Sequence, residues 1–123
     1  VYAGFAAHGR ERNAPAYSPQ RIAWRAHADD PTLVGVLTAN LLWDWLYIDE
    51  LWVDASLRGI GLGRRLMEAA EAHALTSSLT GLWLWTQSWQ AADFYLHLGY
   101  EKFAELPDFP RGHSRFGFRK MLP

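Results

Sequence analysis

Two runs rich in apolar and β-branched residues, RIAWRAH from Arg21 and LVGVLTA from Leu33, flank the turn residues ADDPT and predict an antiparallel hairpin. A longer run of the same character, Trp43 to Val53, predicts a third strand. The pattern then changes period. Leu62, Leu66, Met67, Ala70 and Ala74 recur on one helical face, with Arg64, Arg65, Glu68 and Glu71 opposite, as in an amphipathic helix packed on a sheet. The very apolar GLWLWT reads as a short buried strand. In QAADFYLHLGY, Ala91, Phe94, Tyr95 and Leu98 follow helical spacing, and Gly99 stands where a helix C-cap glycine belongs. Two closing strands, YEKFAEL and RFGFRKM, flank the loop PDFPRGHS. At the start, Val1 to Gly9 read as the end of a helix, and Pro15 and Pro19 keep the following stretch irregular. The sum is an α/β sheet with a strand, helix, strand, helix centre.

At 123 residues, half of them apolar, the chain predicts one domain over residues 1–123 with a substantial core. A net charge of -1 gives no basic footprint for nucleic acid. No apolar run is long enough for a membrane span, and the absence of cysteine fits a reducing cytoplasm and rules out thiolate chemistry. No His or carboxylate cluster has metal-ligand spacing, so no metal is expected. A chain this small with aromatic strands is expected to cover an exposed sheet edge as a homodimer.

Chemistry concentrates in RGIGLGRRL, from Arg58, between the third strand and the first amphipathic helix. A nucleotide P-loop needs Lys followed by Ser or Thr where Arg64 and Arg65 stand, and a dinucleotide fingerprint needs a glycine near Leu66; both readings fail. What remains is Arg58-x-x-Gly61-x-Gly63, a turn whose amides open onto a helix N-terminus and favour a pyrophosphate. The same glycines are compatible with a tight turn that holds nothing.

The stretch LWVDASLRGIGLGRRLMEAAEAHA resembles the acetyl-CoA-binding motif of the GNAT N-acetyltransferases: strand, Arg/Gln-x-x-Gly-x-Gly/Ala, helix. QAADFYLHLGY is similar to the family's next segment, a short helix carrying Phe-Tyr and ending in Gly-Tyr or Gly-Phe. Together they cover Trp43 to Tyr100. The resemblance implies a mixed, mostly antiparallel sheet with helices on both faces and two central parallel strands splayed around acetyl-CoA. It implies a pyrophosphate on the amides of Arg58, Gly59, Ile60, Gly61, Leu62, Gly63 and Arg64, and a pantetheine arm along Leu51, Trp52 and Val53. Gln90 stands where the family often has a helix-opening asparagine, and the family's usual first strand would precede Val1.

Acyl transfer to an amine needs the amine neutral; an alkyl ammonium near pKa ~10.4 costs about 4 to 5 kcal/mol to deprotonate at neutral pH. Asp49 and Glu50 lie in the strand beside the expected thioester and, as neighbours in a strand, are expected on opposite faces, so that only one faces the acceptor. Glu50-Leu51-x-Val53 resembles a common family arrangement and favours Glu50, while either residue is compatible with a plain exposed carboxylate. By the resemblance Tyr95 is the acid that protonates the departing thiolate; a tyrosine on an apolar helix face is also compatible with core packing. A backbone amide near Trp52 is the expected oxyanion donor.

The acceptor is not named by these residues. Trp43, Trp45, Tyr47, Trp83, Trp85 and Trp89 fit either an aromatic wall for a cationic amine or a filled core. His113 and Arg115 fit either polar contacts at the acceptor mouth or a surface hairpin. The reading reached is transfer of acetyl from acetyl-CoA to a primary amine of a small molecule or peptide. A GNAT-like module that binds acyl-CoA without turnover is the alternative, and a β-rich interaction domain is a third.

Overall fold

The computed structural model describes residues 18–123; the helix end expected at Val1 to Gly9 lies outside them. Six strands form one sheet: β1 (Gln20–His27), β2 (Leu33–Leu42), β3 (Trp45–Val53), β4 (Gly81–Gln87), β5 (Glu101–Pro107) and β6 (Ser114–Met121). Their spatial order is β1-β2-β3-β4-β6-β5, so β6 inserts between β4 and β5. Every pairing is antiparallel except β3 with β4. Two helices, α1 (Leu62–Thr76) and α2 (Ala92–His97), make the crossover from β3 to β4 and the link from β4 to β5.

The β1–β2 hairpin follows the sequence reading, closed by Ala28 N–H donating to Thr32 O at 3.0 Å. The next boundary differs. β2 runs on to Leu42, which pairs with Trp45, and Trp43 and Asp44 form the turn, with Trp43 at φ 52. A two-residue connection needs positive φ to match the twist of its strands, and here a tryptophan adopts it.

α1 buries Leu66, Met67, Ala70 and Ala74 against Leu37 and Ala39 of β2, Leu46 and Ile48 of β3, and Leu82 and Leu84 of β4. Tyr95 of α2 joins the same cluster with Tyr100 and Phe118. Among the described residues both helices therefore pack on one face of the sheet, and the further helix expected at Val1 to Gly9 lies outside them. The other face carries aromatic rings: Tyr47 lies 4.7 Å from Trp83, and Phe103 lies 6.4 Å from Trp83 and 5.9 Å from Trp85. Gly117 of β6 permits this packing, since a Cβ there would stand 2.9 Å from Phe103 and 3.1 Å from Trp85.

Two irregularities position the site. The parallel pairing of β3 with β4 covers only Trp45↔Gly81 through Ile48↔Leu84, after which the strands part. At the same level Thr38 of β2 pairs with Glu50 while Ala39 pairs with Ile48, so Asp49 is the extra residue of a β-bulge.

Candidate active site

Beyond the parting, Leu51 and Val53 stay paired with β2 through Leu37 and Gly35, and their other edge no longer meets β4. The chain then turns in a single 3₁₀ turn, Ala55–Leu57, capped by Asp54, whose Oδ1 accepts from Ser56 N–H at 3.1 Å and Ser56 Oγ at 3.2 Å. Arg58 Nε donates back to Val53 O at 3.4 Å and closes the loop on the strand end. Gly59 (φ 85) and Gly61 (φ 86) follow in the left-handed region, where a Cβ is strained. A Cβ at either position would meet nothing within 4 Å, so the space above the loop is open.

Helical hydrogen bonding begins with Arg65 N–H donating to Gly61 O at 3.0 Å, and the amides from Gly59 to Arg64 donate to no carbonyl outside the helix among the described residues. The first turn of α1 has no acidic side chain and carries Arg64 and Arg65 instead. Cations at a helix N-terminus oppose the dipole. An anion over the turn would balance the arrangement.

A cleft of about 520 Å³ opens between this turn, the free edge of β3 and α2. It is lined by Leu51, Trp52 and Val53 on the strand, and by Arg58, Gly59, Gly61, Leu62, Gly63 and Arg64 on the turn and helix. Two residues of the sequence-based set are elsewhere: Ile60 projects from the loop, 60% exposed, and Gln90 lines a different cavity. Four cleft residues from α2 and its flanks were not foreseen as binding groups: Ala91, Phe94, His97 and Leu98. Their helical stripe was legible only as a packing face, and Phe94 does pack 3.5 Å from where a Cβ on Gly63 would stand. His97 Nδ1 lies 2.7 Å from Asp93 O, to which it donates.

The two candidate bases do not point apart. The bulge at Asp49 brings both carboxylates to one guanidinium: Arg21 Nη1 lies 3.1 Å from Asp49 Oδ2, and Nη2 lies 3.5 Å from Glu50 Oε1. Tyr95 is 7% exposed and is not part of the cleft lining, although its neighbour Phe94 is. Its ring packs on Phe94, Tyr100 and Phe118, and burial pushes its hydroxyl up to about 12.

A second cavity, about 380 Å³, lies at the far end of β4 among Trp85, Thr86, Gln87, Gln90, Phe109 and Arg115. Gln87 ties it together, its Nε2 donating to Phe109 O at 2.8 Å and its N–H to Gln90 Oε1 at 3.2 Å. Its own Oε1 is buried without a hydrogen-bond partner. Arg115 lies over Trp85 at 4.9 Å and near Phe109 at 5.8 Å. Among the described residues no three His, Asp or Glu side chains converge as a metal site requires.

Comparison with known proteins bears on this geometry. Residues 5–100 match the family model for the acetyltransferase (GNAT) family. Blasticidin-S acetyltransferase of Streptomyces morookaense is 44% identical over 81 residues, which are 65% of this chain and 60% of that protein. An acetyltransferase of Agrobacterium fabrum is 29% identical over 86 residues, 70% of this chain and 63% of that one. The chain thus spans less than two thirds of these relatives. The crystal structure of an acetyltransferase from Bacillus cereus superposes with a TM-score of 0.86 at 26% identity, covering 98% of this chain and 89% of that one. A Bacillus anthracis protein described as a streptothricin acetyltransferase, solved with acetyl coenzyme A, superposes with a TM-score of 0.76 at 21% identity over 85% of this chain and 64% of that one. With the splayed parallel pair, the left-handed glycine turn and a family match over most of its length, the chain belongs to the GNAT acetyltransferase family, whose cosubstrate is acetyl-CoA.

Proposed function

We propose that this protein is an N-acetyltransferase that moves the acetyl group of acetyl-CoA to a primary amine of a small molecule or peptide. The observation that carries the reading is the row of unaccepted amides from Gly59 to Arg64, opening onto the cleft where β3 and β4 part.

Acetyl-CoA, when bound, supplies an activated acetyl thioester. The residues present fit it. The amides at Gly59–Arg64, helped by Arg58 and Arg64, hold a pyrophosphate, and the free edge of Leu51–Val53 offers backbone groups to an extended amide-bearing arm. Phe94 and Leu98 cover that arm from the other side and exclude water. The amide near Trp52 stabilises negative charge developing on a carbonyl oxygen. Asp49 or Glu50, both on the bulge beside the parting strands, takes the proton of the acceptor ammonium, which offsets the about 4 to 5 kcal/mol that free deprotonation costs. Tyr95, whose hydroxyl keeps its proton up to about pH 12 and whose neighbour Phe94 lines the cleft, is the residue we assign to ease departure of the thiolate.

The test is release of free CoA thiol from acetyl-CoA with a panel of amines. The 44% identical relative is named for blasticidin S, so that compound heads the panel. Burial of Tyr95 away from the cleft lining and the engagement of both carboxylates by Arg21 favour a second reading, a module that binds acyl-CoA without turnover. Thermal stabilisation by acetyl-CoA with no thiol release from any amine would establish that one instead.

A further inference from the structure

We propose that the acceptor carries a carboxylate as well as its reactive amine, and that Arg115 reads the carboxylate from across the parting of β3 and β4, on the far side from Asp49 and Glu50. This rests on the N-acetyltransferase reading and names the acceptor class for the same site.

The floor lies on the sheet face that the described helices leave open. Tyr47 of β3 and Trp83 of β4 stand 4.7 Å apart across the last paired stretch, and Trp83 continues to Trp85 at 6.4 Å. At the β3 end, Asp49 follows Tyr47 by two residues and the bulge brings Glu50 to the same side. At the β6 end, across the parting and on the same side of the Tyr47–Trp83 pair along the parallel strands as Asp49, Arg115 pairs in register with Gln87 of β4 and lies over the Trp85 ring. The reacting centre proposed above, where β3 and β4 part, lies between these ends.

Arg115 is chemically incomplete. Arg21 and Arg119 are neutralised, by Asp49 at 3.1 Å and by Glu101 at 2.8 Å. Arg115 is half-buried in the 380 Å³ cavity, and its recorded contacts are the two rings, Trp85 and Phe109, with no carboxylate or carbonyl accepting from it among the described residues. A cation withdrawn from water without an acceptor is costly. Contact with the rings engages the charge of the guanidinium and gives its N–H groups no oxygen acceptor. The guanidinium fork matches a carboxylate, which accepts two parallel hydrogen bonds. The charges at the two ends meet at one hydroxyl: burial first and then Asp49 push Tyr47 above the ordinary phenol value, and Arg115 pulls it down. An amine-carboxylate laid on the floor places its ammonium against the acidic end, where the proton is removed, and its carboxylate on Arg115, with its hydrocarbon or ring on the tryptophans.

The experiment measures kcat/KM with acetyl-CoA for L-lysine, 5-aminopentanoate and 6-aminohexanoate, whose reacting amine and carboxylate are several bonds apart, each against its own amide. The amide removes only the charge and has the more easily deprotonated amine, so chemistry alone favours it. The expected result is a preference for the carboxylate of about tenfold or more, the scale of a hydrogen bond to a charged group. In Arg115→Met, which keeps an unbranched side chain on Trp85, the preference disappears through acceptor KM while the KM of acetyl-CoA is unchanged. Arg115→Lys, with charge but no fork, restores part of it. Equal or better use of the amides by the parent, or an unchanged preference in Arg115→Met, overturns the proposal and leaves acetyl transfer intact. If no amine in the panel releases thiol, tryptophan fluorescence of the CoA-bound protein is titrated with the same pairs. Binding of carboxylates that Arg115→Met abolishes supports the acceptor site by itself, and no Arg115-dependent binding overturns it.

Discussion

Asp49 and Glu50, neighbours in sequence, reach the same guanidinium on the same face of β3, because the bulge at Asp49 breaks the alternation that would send them apart. Both therefore lie on one face of the sheet, and both are engaged by Arg21. Glu50 Oε1 also lies at 3.5 Å from Thr38 Oγ1, while Asp49 makes the closer contact with Arg21 and is the less exposed of the two.

Conversion of each carboxylate to its amide separates base from neighbour. Removal of the base should lower kcat/KM by about 10²- to 10⁴-fold at neutral pH, and the other variant should stay within about tenfold of the parent. Without a base the rate depends on amine that is already neutral, so it should climb with pH towards the amine pKa while the parent levels off earlier. Equal small effects of Asp49→Asn and Glu50→Gln across pH would show that neither is the base.

Gly61 tests the turn. Its φ of 86 costs an L-residue about 1 to 2 kcal/mol, yet a Cβ there meets nothing within 4 Å. Gly61→Ala should therefore be less stable than the parent and still respond to acetyl-CoA, by about 2.7 kcal/mol at ~100 times its dissociation constant. Gly61→Glu adds an anion above the amides and should lose that response. A full thermal shift in Gly61→Glu would remove the turn as the pyrophosphate site.

How much of this was readable beforehand depends on how local the signal is. The glycine turn, the α1 apolar face and the left-handed Gly99 at φ 91 closing α2 are written in neighbouring residues, and the structure places them as read, except that Glu71, expected on the polar face of α1, turns to Tyr100 and Lys120. The bulge at Asp49 is a register shift against β2, and no residue of β3 announces it. The turn at Trp43 and Asp44 is hidden in the apolar run LLWDW, with no glycine or Asn-Gly to mark it. The second cavity joins β4, β6 and the loop between β5 and β6 because β6 inserts beside β4, and that order is invisible in a linear pattern. Gln90 was assigned to the first cleft by its place in a motif, whereas its side chain turns to the Gln87 N–H and the second cavity.

A half-buried cluster fastens the helices to the sheet. Glu71 of α1 accepts from Tyr100 Oη at 2.8 Å and from Lys120 Nζ at 3.1 Å, and Lys120 also donates to Leu98 O at 2.8 Å. Tyr100→Phe removes one donor from a carboxylate that keeps its cation, and should cost about 1 to 3 kcal/mol. Burial first, then the charge and hydrogen bond of Glu71, push the Tyr100 hydroxyl well above the ordinary phenol value. A raised acid keeps its proton in the folded state, so its stabilisation is complete below pH ~10 and is lost as pH rises beyond it. Chemical denaturation from pH 8 to 11 should show parent stability falling at the alkaline end and a shallower fall in Tyr100→Phe. Parallel curves would place the alkaline loss elsewhere.

Tyr95→Phe tests how the thiolate leaves. The Tyr95 hydroxyl, at about 12, is a weaker acid than an alkyl thiol near ~8.5, so complete proton transfer to the thiolate is uphill by roughly 3.5 units, about 5 kcal/mol. A hydrogen bond that eases departure is the smaller and more accessible contribution. Tyr95→Phe should then lower kcat by about 10²-fold, the bottom of the range for acid catalysis, and leave the KM of acetyl-CoA near the parent value. The fold should persist, since the ring keeps its contacts with Phe94, Tyr100 and Phe118. No alkaline fall in rate from this group is expected below pH ~11, because the phenol stays protonated there. A thioester with a more acidic thiol needs less help in leaving, so the gap between parent and variant should narrow with it. An unchanged kcat in Tyr95→Phe, with a genuine acceptor and the natural thioester, would make Tyr95 a packing residue of α2 and leave the thiolate to solvent.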